Sequence, residues 1–255
     1  MPHPTTNAEG MPTIALSEEQ RYRFDTRGWL LLPGLLSESQ VDEMKDFCYR
    51  LKKDTDSIPE HHRSSIGGPL ESLTDHPAVV GFMDEFVSSG YAGEDCYGFR
   101  LEGTFLTIRS KGDGQFAPHG GRGLFNFPGN SHTYRMNNDR AHSGLTRVVW
   151  ELNPVRRGDG GTLFLTGSHK GAFPPPASMA SKDSDLWEDY ECPAGSALIF
   201  TEAITHSGVD WVNEDVDRVA VFNCYNVVGN KWHKWEPHPQ QLEQMPFKRQ
   251  TLFRP

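Results

Sequence analysis

The spacing of apolar residues changes once along this chain, and the change divides it into two regions. Val41, Met44, Phe47 and Leu51 recur every three or four positions, the pattern of a helix with one buried face. Ser37 stands just ahead as a helix-starting cap, and Gln40 completes a capping box with it. A second helix is expected after Asp75-His76-Pro77, burying Val79, Val80, Phe82, Met83 and Phe86. From Tyr97 onward the apolar runs shorten, and Gly and Pro punctuate them. Strands are expected at 97–109, 145–152, 162–166, 197–201 and 217–227. Helices first and many short strands later predict a mainly β fold with N-terminal and peripheral helices. Its core would be a double-stranded β-helix, a cupin-like jelly-roll. Residues 1–15, rich in Pro and Thr, are expected to form a flexible tail, and 16–255 a single domain.

Composition narrows the function classes. A chain of 255 residues suits one large domain, since β folds often run to ~200–250 residues as a unit. A net charge of −9 argues against a nucleic-acid polymer as partner. Cys48, Cys96, Cys192 and Cys224 are scattered without a CxxC pair, which favours reduced thiols in a cytoplasmic protein. Met1 to Ala15 has neither the basic start nor the apolar core of a signal peptide. No run approaches the ~18 apolar residues of a membrane helix.

The chemistry is concentrated in two short segments, Ala117-Pro118-His119-Gly120-Gly121 and Thr205-His206-Ser207-Gly208. His119 follows the apolar stretch 104–108, and His206 follows Ala197-Leu198-Ile199-Phe200. Two imidazoles presented by converging strands at a barrel mouth suit a facial iron(II) site, although a lone histidine is more often a core or surface residue. His61, His62, His233 and His238 read as surface or loop positions, and His169 as a packing or capping residue. Arg218 precedes Val219-Ala220-Val221-Phe222, so its guanidinium belongs to a buried strand. There it could grip a carboxylate in two-pronged fashion; a surface arginine is the plainer alternative. The polar segment from Arg122 to His142 is a candidate substrate loop, with Arg122, Tyr134 and Arg135 as candidate substrate contacts. Paired arginines there would suit an anionic group, against the simpler reading of a solvated loop.

Three segments in order carry a family resemblance. Phe24-Asp25-Thr26-Arg27-Gly28-Trp29-Leu30-Leu31-Leu32-Pro33-Gly34-Leu35-Leu36 reads as a strand followed by a helix. Gly158-Asp159-Gly160-Gly161-Thr162-Leu163-Phe164-Leu165-Thr166-Gly167-Ser168-His169-Lys170 reads as a glycine-rich turn, a strand and a GSHK ending. His206 is followed twelve residues later by Arg218. Along most of its length the chain resembles the phytanoyl-CoA dioxygenase family of iron(II)/2-oxoglutarate enzymes. The resemblance implies His119 and His206 as metal ligands, Arg218 as the grip on 2-oxoglutarate, Trp150 and Ser207 as further cosubstrate contacts, and O2 as co-reactant.

One position departs from the family pattern. The proximal ligand motif is His-x-Asp, and this chain has Gly121 where the carboxylate belongs. In its iron/2-oxoglutarate halogenases, which resemble this chain in carrying His-x-Gly or His-x-Ala, that vacant ligand position takes chloride. The resemblance therefore implies a halogenase that chlorinates an unactivated C–H carbon of a free small molecule, such as a nucleotide or other anionic metabolite. A hydroxylase of the same family, with water or an unrecognised acidic residue in the third position, is the first alternative. A non-catalytic jelly-roll binding module with a vestigial site is the second. Gly121 also has plainer readings: a turn with positive φ, a close backbone approach, or drift after metal loss.

Overall fold

The computed structural model describes residues 4–88, 92–120 and 132–254. Helix α1 (Glu18–Arg27) opens on a capping box between Ser17 and Gln20 and ends at Gly28, where φ is 81°. Strand β1 (Trp29–Leu32) and helix α2 (Glu38–Lys53) follow, the latter capped by Ser37 and Gln40 and burying Val41, Met44 and Phe47. Helix α3 (Pro77–Phe86) starts with Pro77 in its first turn and buries the expected apolar residues. The segment expected as strand then helix thus begins inside a helix. Phe24 is the one buried residue of α1, so apolar periodicity gives almost no signal there and the caps define the element.

Strand β2 (Phe99–Arg109) begins the β region, and β3 is only His119–Gly120. A hairpin of β4 (Tyr134–Asn137) and β5 (Arg140–Ser143) turns at Asn138, whose φ is 53°. Then come β6 (Thr146–Glu151), β7 (Thr162–Leu165), β8 (Trp187–Glu188), β9 (Ser196–Thr201), β10 (Thr205–Gly208) and β11 (Arg218–Val227). They form a five-stranded sheet, β1-β9-β6-β11-β2, a four-stranded sheet, β3-β10-β7-β8, and the hairpin. The pairings of the described strands are antiparallel.

Alternation along the large sheet sorts its side chains between two cores. Val148, Trp150, Ala197, Ile199, Val219 and Val221 join the helical side, with Phe24, Met44, Phe82 and Met83. Val149, Leu198, Phe200, Ala220 and Phe222 turn the other way and pack with Phe164 of the small sheet. The candidate chemistry lies on this second, inter-sheet side.

Residues 4–15, expected as a tail, run back along the molecule. Ile14 donates its N–H to Pro77 O at 3.2 Å, Ala8 to Asp75 Oδ2 at 3.1 Å, and Arg249 reaches Glu9 at 2.8 Å. The approach is close enough that a Cβ on Gly81 would fall 1.9 Å from Ile14 O. Among the described residues no helix is long and apolar enough to cross a membrane.

Candidate metal centre

His119 and His206 are direct partners in the β3–β10 ladder. Their ring centroids lie 4.3 Å apart. Each ring is oriented in the same way: His119 Nδ1 sits 2.8 Å from Ala117 O, and His206 Nδ1 sits 3.1 Å from Ile204 O. A carbonyl oxygen only accepts, so both Nδ1 atoms carry hydrogen, and in the neutral ring Nε2 is the nitrogen left with a lone pair. This is how a metal-binding imidazole is usually held. Two neighbours make the close strand approach possible. A Cβ on Gly120, where φ is 73°, would fall 2.6 Å from Ile204 O and 2.8 Å from His206 Nδ1. Ser207 Oγ accepts from Ala117 N–H at 2.8 Å and donates to Gly208 O at 2.7 Å, tying the entry of β3 to β10.

His206 is buried and His119 exposed. Burial pushes the His206 imidazolium down to about 4, with the nearby Glu202 carboxylate offsetting only part of the effect. The ring is therefore neutral at physiological pH and available as a donor to a metal. For Glu202, burial alone would raise the carboxyl, but Arg147 and then His206 draw it down to about 2. It is a buried anion, ion-paired with Arg147 through Oε1, and its Oε2 lies 3.8 Å from His206 Nε2.

Both histidines line a pocket of about 150 Å³ with Arg109, Arg147, Arg218 and the rings of Phe105, Phe200 and Phe222. Arg218 is 1% exposed and committed to protein partners. Its Nη2 donates to Glu151 Oε1 at 2.5 Å and to Tyr190 Oη at 3.1 Å. Burial would lower its pKa, but Glu151 and Tyr190 raise it. Arg109 stands opposite Arg218 across β2 and β11. It donates to Val209 O at 3.5 Å and has no carboxylate in ion-pair range among the described residues. Burial, and then the Arg218 charge, lower its pKa. A larger cleft of about 510 Å³ lies elsewhere, around Arg23, Arg27 and Glu188. It brings neither candidate histidine into its walls.

Other expected site residues fall elsewhere. Trp150 is fully buried on the helical side of β6, edge-on to His76, so strand alternation turns it away from the pocket. Its neighbours Arg147, Val149 and Glu151 face inward instead. Tyr134 is a core residue whose hydroxyl donates to Asp25 at 2.7 Å, and Arg135 is exposed on the hairpin. Gly121 and Arg122 lie outside the described residues. His169 packs against Gly28, with Nε2 2.9 Å from Asp25 O. His233 lies in a loop, as expected, and is half-buried against Glu102 at 2.8 Å. Glu202, Glu151, Arg109 and Arg147 carry little signal in the sequence; for Glu202 it is parity, since 198, 200 and 202 alternate to the same face.

No protein-family model matches the chain, and no curated protein does. Solved structures share its fold. The HygX protein of Streptomyces hygroscopicus, with nickel and 2-oxoglutarate bound, superposes with a TM-score of 0.68 at 20% identity, over 87% of this chain and 90% of that one. EctD from S. alaskensis gives 0.61 at 16% identity, over 100% of this chain and 88% of that one. The carbocyclase SnoK of nogalamycin biosynthesis, a non-haem α-ketoglutarate-dependent enzyme, gives 0.59 at 14% identity, over 95% and 94%.

Proposed function

We propose that this protein is an iron(II)- and 2-oxoglutarate-dependent oxidoreductase acting on a small molecule, built on a jelly-roll core. The observation that carries the reading is the pair of cross-strand imidazoles, both with Nε2 left as donor, in one pocket with guanidinium groups. The donor set fits a divalent iron ion, for which imidazole is a suitable ligand. Structures of the same fold support it: HygX carries iron in one and nickel with 2-oxoglutarate in another. When bound, iron(II) would let O2 oxidise 2-oxoglutarate to succinate and CO2, with the second oxygen atom used on the substrate C–H bond.

The chain's own residues have separable tasks. His119 and His206 hold the metal, and Ser207 fixes the backbone that presents His119. The distal carboxylate of 2-oxoglutarate needs a charge-assisted partner when buried. Arg218 is the residue the family resemblance nominates. Arg109, beside it and without a carboxylate of its own among the described residues, is the guanidinium free to turn to the cosubstrate. Arg218 then serves with Glu151 and Tyr190 as the rigid floor beneath it. Phe105, Phe200 and Phe222 keep the pocket apolar, which strengthens these charge interactions.

The fold does not decide the outcome at carbon, since neighbours sharing it include an epimerase and a carbocyclase. Gly121 favours chlorination, because it supplies no carboxylate and leaves a position for chloride. Glu202 favours hydroxylation, because a buried carboxylate already lies beside His206. HygX with hygromycin B and EctD with 5-hydroxyectoine support a free small molecule as substrate. An anionic substrate rests on Arg135 and Arg122. The test is anaerobic loading with iron(II), 2-oxoglutarate and chloride, exposure to O2 with a metabolite mixture, and mass spectrometry. Succinate formed with a product carrying one added oxygen or a chlorine isotope pair is expected. No O2-dependent succinate under any condition would leave a non-catalytic binding module.

A further inference from the structure

Glu202 follows directly on β9, continues the inward parity of Leu198 and Phe200, and stands four residues before His206. Arg147 engages its Oε1. The other oxygen, Oε2, lies 3.8 Å from His206 Nε2. In the neutral ring, whose hydrogen sits on Nδ1 facing Ile204 O, that nitrogen carries only a lone pair. Two buried hydrogen-bond acceptors thus face each other at close range. Such a pair repels in a medium of low dielectric unless a positive charge lies between them.

We propose that Glu202 supplies the carboxylate ligand that Gly121 cannot, so that His119, His206 and Glu202 together form the metal site. The proposal rests on the iron reading above. Donors bound about 2.1 Å from one divalent ion lie roughly 3–4 Å from each other, and the His206–Glu202 pair already meets that spacing. His119 does not yet: among the described residues, the one trio of ligand atoms within 4.8 Å of one another is Glu102, Cys224 and His233. The exposed His119, on a two-residue strand, is therefore the member that closes when metal binds. The Glu102 trio is a weaker metal site, because its carboxylate is already satisfied. Glu102 meets His233 at 2.8 Å, Trp232 N–H at 2.9 Å and Asn226 at 3.2 Å. A carboxylate moved from the second position after the proximal histidine to the turn before the distal one fills the place that a halide would need. The site then favours transfer of oxygen over transfer of chlorine.

The test uses cobalt(II), titrated anaerobically into the full-length apo-protein without 2-oxoglutarate, with binding read from its visible d–d absorption. Wild type should bind, and His119→Ala and His206→Ala should not. Glu202→Gln keeps an acceptor for Arg147 and should weaken binding by roughly 10–100-fold or more. If that variant does not fold, the double variant Arg147→Met/Glu202→Met removes both buried charges together and should show the same loss. Chloride should leave the wild-type cobalt spectrum unchanged and should alter it once Glu202 is replaced, a response that a merely structural carboxylate would not produce. Unchanged cobalt affinity in the Glu202 variants, with both histidine variants dead, would overturn the Glu202 assignment while leaving the iron reading intact. A wild type that binds no cobalt, or histidine variants that bind as well as wild type, would overturn both.

Discussion

Truncating Arg218 strands the Glu151 carboxylate in the interior, since the two form a pair that is 1% and 0% exposed. Removing one member of such a pair costs about 3–5 kcal/mol, so Arg218→Ala should lower the melting temperature sharply in the apo-protein. Arg109 is half-buried and has no ion-pair partner among the described residues. Its loss should be mild for stability, yet weaken 2-oxoglutarate by one to several decades, at ~1.4 kcal/mol per decade. Calorimetric unfolding and 2-oxoglutarate titration of both variants check this, and the opposite split would return the cosubstrate grip to Arg218. At this scale the sequence was partly legible. The two candidate histidines stand out by type and context, and Arg218, the candidate cosubstrate grip, by its distance from His206. Glu202 did not, because a single acidic residue after an apolar strand is indistinguishable from a solvated strand end until its burial beside Arg147 is known.

Strand β6 shows what pattern can and cannot say about an element. Val148-Val149-Trp150-Glu151-Leu152 is buried on both faces, so hydrophobicity places the strand without telling which side each residue takes. The pairing to β9 and β11 settles it: Trp150 opposes Ala197 and Val221, both on the helical side. The Trp150 Nε1 has no hydrogen-bond partner among the described residues, so replacing the ring by Phe sacrifices packing alone. Trp150→Phe should cost on the order of 1 kcal/mol of stability and leave 2-oxoglutarate affinity unchanged. A fall in that affinity, read by titration, would put the indole back in the cosubstrate pocket. Longer elements were legible because burial imposes period and caps mark their ends, as in α2 and α3. α1, with one buried residue, and β3, with two residues in all, carry too little pattern to be read. The β4–β5 hairpin reads as a loop in the sequence because its exposed polar residues resemble one.

At the scale of the molecule, helices ahead of a β-rich remainder gave the layer order, with the helical side packed on the outer face of the large sheet. The candidate metal centre lies between the two sheets, where the ladder of β3 and β10 brings together histidines 87 positions apart (206 − 119). No local pattern encodes that pairing; Gly120 and Ser207 permit it, and neither signals that role in a linear sequence. Structures of this fold serve different reactions, so the central claim is tested at the metal rather than through the architecture. The most direct measurement is the visible charge-transfer absorption of the protein mixed anaerobically with iron(II) and 2-oxoglutarate. Wild type should develop the band at one iron per chain, and His119→Ala and His206→Ala should each abolish it. No band in the wild type, or a band at full intensity in both variants, would contradict the account.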